Sequence, residues 1–268
     1  MDWAAHEPVI RISVFATILV AMLAWEWLAP KRVPHALRWR RGWANLGLSA
    51  LSTIAARVVV PGITVVGALT AAERGWGLFH LVQVPAWIAL VVSFVVLDVA
   101  IYAQHILTHK IPLLWRLHRV HHGDPMIDAT TGLRFHPVEI IGSLLIKVAV
   151  VMLLGVPVAA VVVFEVVLNA TTIFNHSNVR MPVGLDRWLR WVVVTPDMHR
   201  VHHSQIRDET NSNFGFNLPW WDRIFRTYRA QQLAGHLGMD IGLPAVTPAS
   251  GARWWWLVLS PFTRQKEP

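Results

Sequence analysis

Three short stretches of this chain are dense in histidine: His105-x3-His109, His118-x2-His121-His122 and His199-x2-His202-His203. Ten of the fourteen histidines lie between His105 and His203, and eight of these belong to the three clusters. On a helix, residues three and four apart share a face, so each cluster presents two or three imidazoles in one direction, as metal ligation requires. Neutral imidazole suits iron, zinc and copper. Eight imidazoles exceed the needs of one ion, so the pattern points to two metals. One such histidine alone would be a surface or satisfied core residue. Three clusters among apolar runs are costly to desolvate unless something binds them.

Two further histidines join the candidates. His176, in Asn175-His176-Ser177-Asn178, stands at the end of an apolar run and is a candidate ligand. His136, in Arg134-Phe135-His136-Pro137-x-Glu139, divides evenly between ligand and structural use. His6, His35, His80 and His236 stand alone and carry no metal reading. Asp98, seven residues before His105, lies on the same helical face. It would receive an imidazole N–H and orient a ligand, or bond structurally to Tyr102 or a neighbouring helix. Glu165 and Asn169, one turn apart, line a polar spot or a tunnel, or simply pack.

The elements that must hold these residues are membrane helices. The 268-residue chain is 54% hydrophobic and only 15% charged, well below a soluble domain. Its fifteen tryptophans collect near the ends of apolar runs, where amphipathic rings sit at headgroup depth. There is no cysteine, which excludes disulfides, thiolate zinc sites, iron–sulfur clusters and thiol nucleophiles. Five apolar stretches stand out: 9–29, 45–69, 85–106, 138–154 and 156–174. The second contains Arg57 and Pro61, which predicts a kinked or partly interfacial segment. The last two meet at Gly155-Val156-Pro157 and predict a helical hairpin that crosses and returns.

The formal charge of +8 is spread between apolar segments rather than gathered into a basic face, which argues against nucleic acid as a partner. Segments 31–44, 108–137 and the region beyond residue 180 carry most of the Lys and Arg. The positive-inside rule then puts every histidine cluster in the cytoplasm and, with five crossings, the N-terminus outside. The first apolar run lacks a basic leader and a small-residue cleavage site, so it is expected to stay as a membrane segment. The expected architecture is an all-α integral membrane protein of four to five transmembrane helices, hairpin included. A cytosolic helical cap carries a histidine-rich di-metal site. The expected divisions are a transmembrane region at 1–84, a catalytic domain at 85–230 and a tail at 231–268 with Trp254–Leu259 in the membrane interface.

These residues resemble the fatty acid hydroxylase/sterol desaturase superfamily, whose pattern is HxxxH, HxxHH and a late HxxHH separated by a hydrophobic hairpin. The likeness extends to Arg134-x-His136-Pro137-x-Glu139, Asn175-His176-Ser177-Asn178, Asn213-Phe214-Gly215 and Trp221-Asp222-Arg223-x-Phe225. It covers residues 98–228, about half the chain. One departure is Arg226, where related sequences commonly place glycine before Thr227-Tyr228.

The resemblance implies two non-haem irons that activate O2 and attack an unactivated C–H bond of a fatty-acyl, sterol-like or other isoprenoid lipid. Zinc would stand in for iron in purified protein. It implies His105, His109, His118, His121, His122, His176, His199, His202 and His203 as ligands, with Asp98, Asn178 and Asp208 behind them. Electrons must come from a separate donor, a reductase with cytochrome b5, ferredoxin or similar, since no nucleotide or haem motif is present. In a bacterium the membrane would be the inner one. Hydroxylation and desaturation stay open at this point, as does a carotenoid hydroxylase or ketolase with similar histidine boxes. From other classes, a membrane haem cytochrome and a metal transporter compete. The absence of HExxH disfavours a zinc protease.

Overall fold

The structure, a computed structural model, describes residues 3–263. Among them there is no strand, only the isolated bridges Pro30–Val179 and Ser204–Ile241. The first ten α-helices in chain order are α1 (Trp3–Leu28), α2 (Arg38–Val59), α3 (Ile63–Arg74), α4 (Leu78–Leu81), α5 (Ala86–Lys110), α6 (Pro112–His122), α7 (Pro137–Leu154), α8 (Val158–His176), α9 (Val183–Leu189) and α10 (Pro196–His202). Five segments are long and apolar enough to cross a membrane: Ala5–Leu28, Arg38–Leu81, Ala86–Lys110, Pro137–Leu154 and Val158–His176.

Each of the five has one end at the histidine region. α5 and α8 finish in His109-Lys110 and His176, and α7 begins just after His136. The chain leaving α1 bonds to the chain leaving α8, Arg180 N–H to Ala29 O at 2.8 Å and Lys31 N–H to Asn178 O at 2.8 Å. Arg41, in the first turn of α2, pairs with Asp124 at 2.5 Å, just beyond α6. The directions therefore alternate, with α2 and α3 together making one crossing. The expected break at Pro61 is there: α2 stops at Val59, and Gly62 takes φ +59 to start α3. Proline supplies no N–H for a continuous helix, and glycine accepts the left-handed turn without a Cβ clash. The α7–α8 hairpin turns at Gly155, φ +70, followed by Pro157 as the residue before α8.

An apolar core joins the crossings: Ala68, Leu97, Ile101, Val151, Val156, Ala160, Val161 and Phe164. A second cluster of Leu48, Val120 and Leu257 packs the short helix Trp254–Leu259 against α2 and α6. That C-terminal segment also binds α6 through its carbonyls, Arg116 to Pro261 at 2.7 Å and Arg119 to Thr263 at 2.8 Å. Fully buried Arg134 closes the back of the histidine region. It donates to Val120 O at 2.7 Å, Gly251 O at 2.8 Å, Gly123 O at 3.1 Å and Asn45 Oδ1 at 3.1 Å. Burial pulls its pKa down to about 10, so it remains a cation at neutral pH. Arg134→Met would strand those acceptors in a dry interior at about 1–3 kcal/mol each. The expected outcome is a clear fall in the apparent unfolding temperature in detergent, and an unchanged temperature would show the guanidinium to be dispensable.

Candidate metal centre

Nine histidines converge into two groups. His105, His109, His118, His122 and His202 form one, and His121, His176, His199 and His203 the other. Within each group the candidate ligand atoms all lie within 4.8 Å of one another. The clusters of the sequence are not the groups of the structure. One turn of helix puts His118 and His122 about 40° apart, while adjacent residues diverge by about 100°. His118 and His122 of α6 therefore serve the first group, and His121 turns to the second. The third cluster divides the other way: His199 and His203 face the second group and His202 the first. Each cluster thus presents two imidazoles in one direction, as expected, while His121 and His202 turn away from their clusters to the opposite group.

Four of the nine rings are aimed by a bond at the outer nitrogen. His105 Nδ1–H donates to Phe214 O at 2.8 Å, His202 Nδ1–H to Ser212 O at 2.8 Å, and His176 Nδ1–H to Thr172 O at 2.7 Å. His118 Nδ1–H donates to Glu139 Oε1 at 2.6 Å. A neutral imidazole that donates at Nδ1 carries a lone pair at Nε2. Yet His105 Nε2 stands 3.1 Å from His118 Nε2, and His176 Nε2 lies 3.0 Å from His121 Nε2 and from His199 Nε2. For His105 and His118 this sets lone pair against lone pair. His109 Nε2, His122 Nε2, His202 Nε2 and both ring nitrogens of His203 are buried without a hydrogen-bond partner. Converging, dry lone pairs of this kind fit bound cations, one per group. Burial first, then the crowding of neighbouring imidazoles, holds His121, His122, His199 and His203 well below the ordinary histidine range, with His202 lowered likewise. Neutral rings are the ligating form.

The carbonyls of Ser212 and Phe214 belong to one loop, and that loop is pinned from three directions. Asn213, at φ +52, donates to Met198 O at 2.9 Å and Arg229 O at 2.8 Å. The Asp222 carboxylate accepts from Phe214 N at 2.8 Å, Gly215 N at 2.9 Å and Thr227 Oγ1 at 2.7 Å; burial pushes its pKa up to about 6. Asp98 accepts from Trp221 Nε1 at 2.7 Å and Leu218 N at 3.3 Å. Asp98 does not receive the N–H of His105, which the Phe214 carbonyl takes; it bonds instead to the segment that follows this loop. Arg226 takes φ +61, the left-handed conformation that glycine accepts freely, which explains the residue expected there.

Three other candidates fall elsewhere. His136 is in neither group: its Nδ1 accepts from Val138 N at 3.3 Å, capping α7, while its Nε2 meets Val258 O at 3.3 Å. The turn into Pro137 aims it at the C-terminal helix. Asn178 bonds to the backbone of Arg32 and to Glu26, tying α1 to α8, and does not stand behind a histidine. Asp208 is exposed on the short helix Arg207–Thr210. The carboxylate that does stand behind a histidine is Glu139, three residues beyond His136, whose role the motif Arg134-x-His136-Pro137-x-Glu139 does not reveal by spacing alone.

The profile of the fatty acid hydroxylase family matches residues 90–227, just over half the chain. The chain belongs to the fatty acid hydroxylase family. It is similar to an ornithine lipid hydroxylase of Rhizobium tropici, 30% identical over 54% of this chain and 43% of the relative. It is also similar to an alkylglycerol monooxygenase of Xenopus tropicalis, 26% identical over 79% of this chain and 44% of the relative. A third likeness is to a cholesterol 25-hydroxylase of Rattus norvegicus, 28% identical over 52% of this chain and 46% of the relative. The matches span less than half the length of these curated relatives. No solved structure matches the chain.

Two measurements test the grouping within this family member. His202→Ala should lower metal content from about two ions per chain to about one, while His136→Ala leaves it unchanged, by elemental analysis. Full occupancy in His202→Ala would contradict the five-membered group. Glu139→Gln should weaken metal retention against a chelator about 10–100-fold, because His118 loses the carboxylate that aims it; unaltered retention would reduce Glu139 to a bystander.

Proposed function

We propose that this chain is a membrane oxygenase that hydroxylates a lipid at an unactivated carbon, with two irons held by the nine grouped histidines. The observation that carries the reading is a cavity of about 880 Å3 that reaches His105 and His118 at one end and runs between the apolar crossings. Apolar Ile101, Ile140, Leu144, Leu168 and Phe216 line its course, so a hydrocarbon chain is the fitting guest. Iron in this site would supply the O2 activation that no side chain can provide. The protein's own part is to aim the imidazoles, keep them neutral and dry, and hold the substrate carbon beside them.

Hydroxylation is preferred over desaturation because the similar proteins are named as hydroxylases and monooxygenases. A haem reading fails on space: facing ring nitrogens 3.0–3.1 Å apart leave no gap for a macrocycle. Electrons would arrive from a separate donor at the polar face, where a recess of about 410 Å3 lined by Lys110, Arg207 and Asn211 reaches His109. We place that face in the cytoplasm, following the basic loops on that side.

The test is turnover of a membrane lipid extract by iron-loaded protein with a reductant under heavy-isotope O2. A lipid that gains one labelled oxygen is expected, with His202→Ala inactive. A product that has lost two hydrogens instead would make the chain a desaturase, and unchanged lipids would refute lipid oxidation.

A further inference from the structure

The cavity has a second chemical end. Away from the histidines it is lined by Glu7, Arg11, Arg57, Lys147 and Glu165, all on helices that cross the membrane. Glu165 accepts from Lys147 Nζ at 2.7 Å, from Arg11 at 2.7 Å and from Thr64 Oγ1 at 3.2 Å. Glu7 pairs with Arg11 at 2.6 Å. Lys147 is 8% exposed and Glu165 2%. Charges placed so deep in apolar helices are expensive and mark functional sites. The helix break at Val60, Pro61 and Gly62 lines the same end. Irregular backbone at membrane depth is tolerated where it borders a polar cavity.

Position along the helices sets the distance. Glu165 precedes His176 by eleven residues of α8, about 16 Å at the helical rise, and Lys147 follows Glu139 by eight residues of α7, about 12 Å. A lipid filling the cavity would therefore span from this cluster to the metal centre, with the apolar lining between. Charge decides what the cluster prefers. Arg11 and Lys147 are paired with Glu7 and Glu165, while Arg57, exposed at the rim of the same cavity, has no carboxylate partner among the described residues. The charged lining therefore carries one positive charge in excess.

We propose that this charged end of the cavity, Arg11, Lys147 and the unpaired Arg57 around Glu165, is an anion anchor, taking the anionic oxygens of an amphiphile, a carboxylate or a phosphate ester, whose hydrocarbon chain runs down the cavity to His105 and His118. The anchor holds the polar end away from the metals, so the carbon presented to the histidines is remote from the headgroup. This deepens the lipid-oxygenase reading and rests on it for the class of occupant.

Equilibrium binding tests it without turnover. Zinc-loaded full chain in detergent is titrated with a radiolabelled long-chain fatty acid, its methyl ester and a lysophosphatidic acid. The acid, the phosphate ester or both should bind at least about tenfold tighter than the methyl ester, as charged hydrogen bonds warrant. Binding of both anions supports the shared chemistry, and binding of one names its source. Lys147→Gln, which keeps a donor for Glu165, should erase most of the preference with metal content unchanged, while Lys147→Arg keeps it. If Lys147→Gln does not accumulate, Arg57→Gln on the exposed rim should lower the preference. Equal binding of acid and ester in the wild type overturns the anchor, as does a full preference in the variant measured. Absence of oxygenated product from every lipid would instead defeat the oxygenase reading and leave the acid–ester comparison standing on its own.

Discussion

Nine imidazoles packed nitrogen to nitrogen, eight of them buried and His109 half-buried, are the constraint on which the rest of this structure depends. A dry ring must be neutral, and a neutral ring has one donating and one accepting nitrogen, so its function is decided by where the donor goes. Here the outer nitrogens of His105, His202 and His176 are claimed by backbone carbonyls and that of His118 by Glu139. Those acceptors must themselves be rigid. The loop carrying Ser212 and Phe214 is accordingly bound by Asn213, Asp222 and, through Trp221, Asp98. The C-terminal helix and Arg134 brace α6 from the opposite side. Much of the buried polar machinery is support for ring orientation.

The membrane imposes the second constraint. The histidines and most of the groups that support them are gathered where helices end, and the alternating directions of the crossings bring those ends together. Two histidine-bearing elements, α5 and α8, are themselves crossings, so the metal centre opens into the space between them. That space is apolar along its length and polar at its far end, a shape suited to an amphiphile. The interruption between α2 and α3 belongs to this design, since an unbroken helix would have carried its backbone past the cavity without exposing any of it.

Much was legible because it is local. The histidine spacings, the hairpin at Gly155 and the break at Pro61 follow from periodicity and from residues with special backbone limits. The glycine expected at Arg226 marked a left-handed turn from sequence habit alone. What escaped was everything decided by direction in three dimensions. His136 has a motif as good as that of His176, but the turn into α7 aims it at Val258. Asp208 and Glu209 are neighbours of equal chemistry, and only packing makes the first exposed and the second buried.

The sequence by itself determined the chemistry of this protein: many neutral imidazoles at helical spacing, no cysteine, and apolar crossings long enough for a bilayer. Tertiary structure decided the partition. Helical twist sends adjacent histidines to different groups, the acceptors for His105, His118 and His202 come from remote segments, and the charges of Arg11, Lys147 and Glu165 meet only once three separate helices pack. Spacing along one helix is a property of the chain; convergence between helices is a property of the fold.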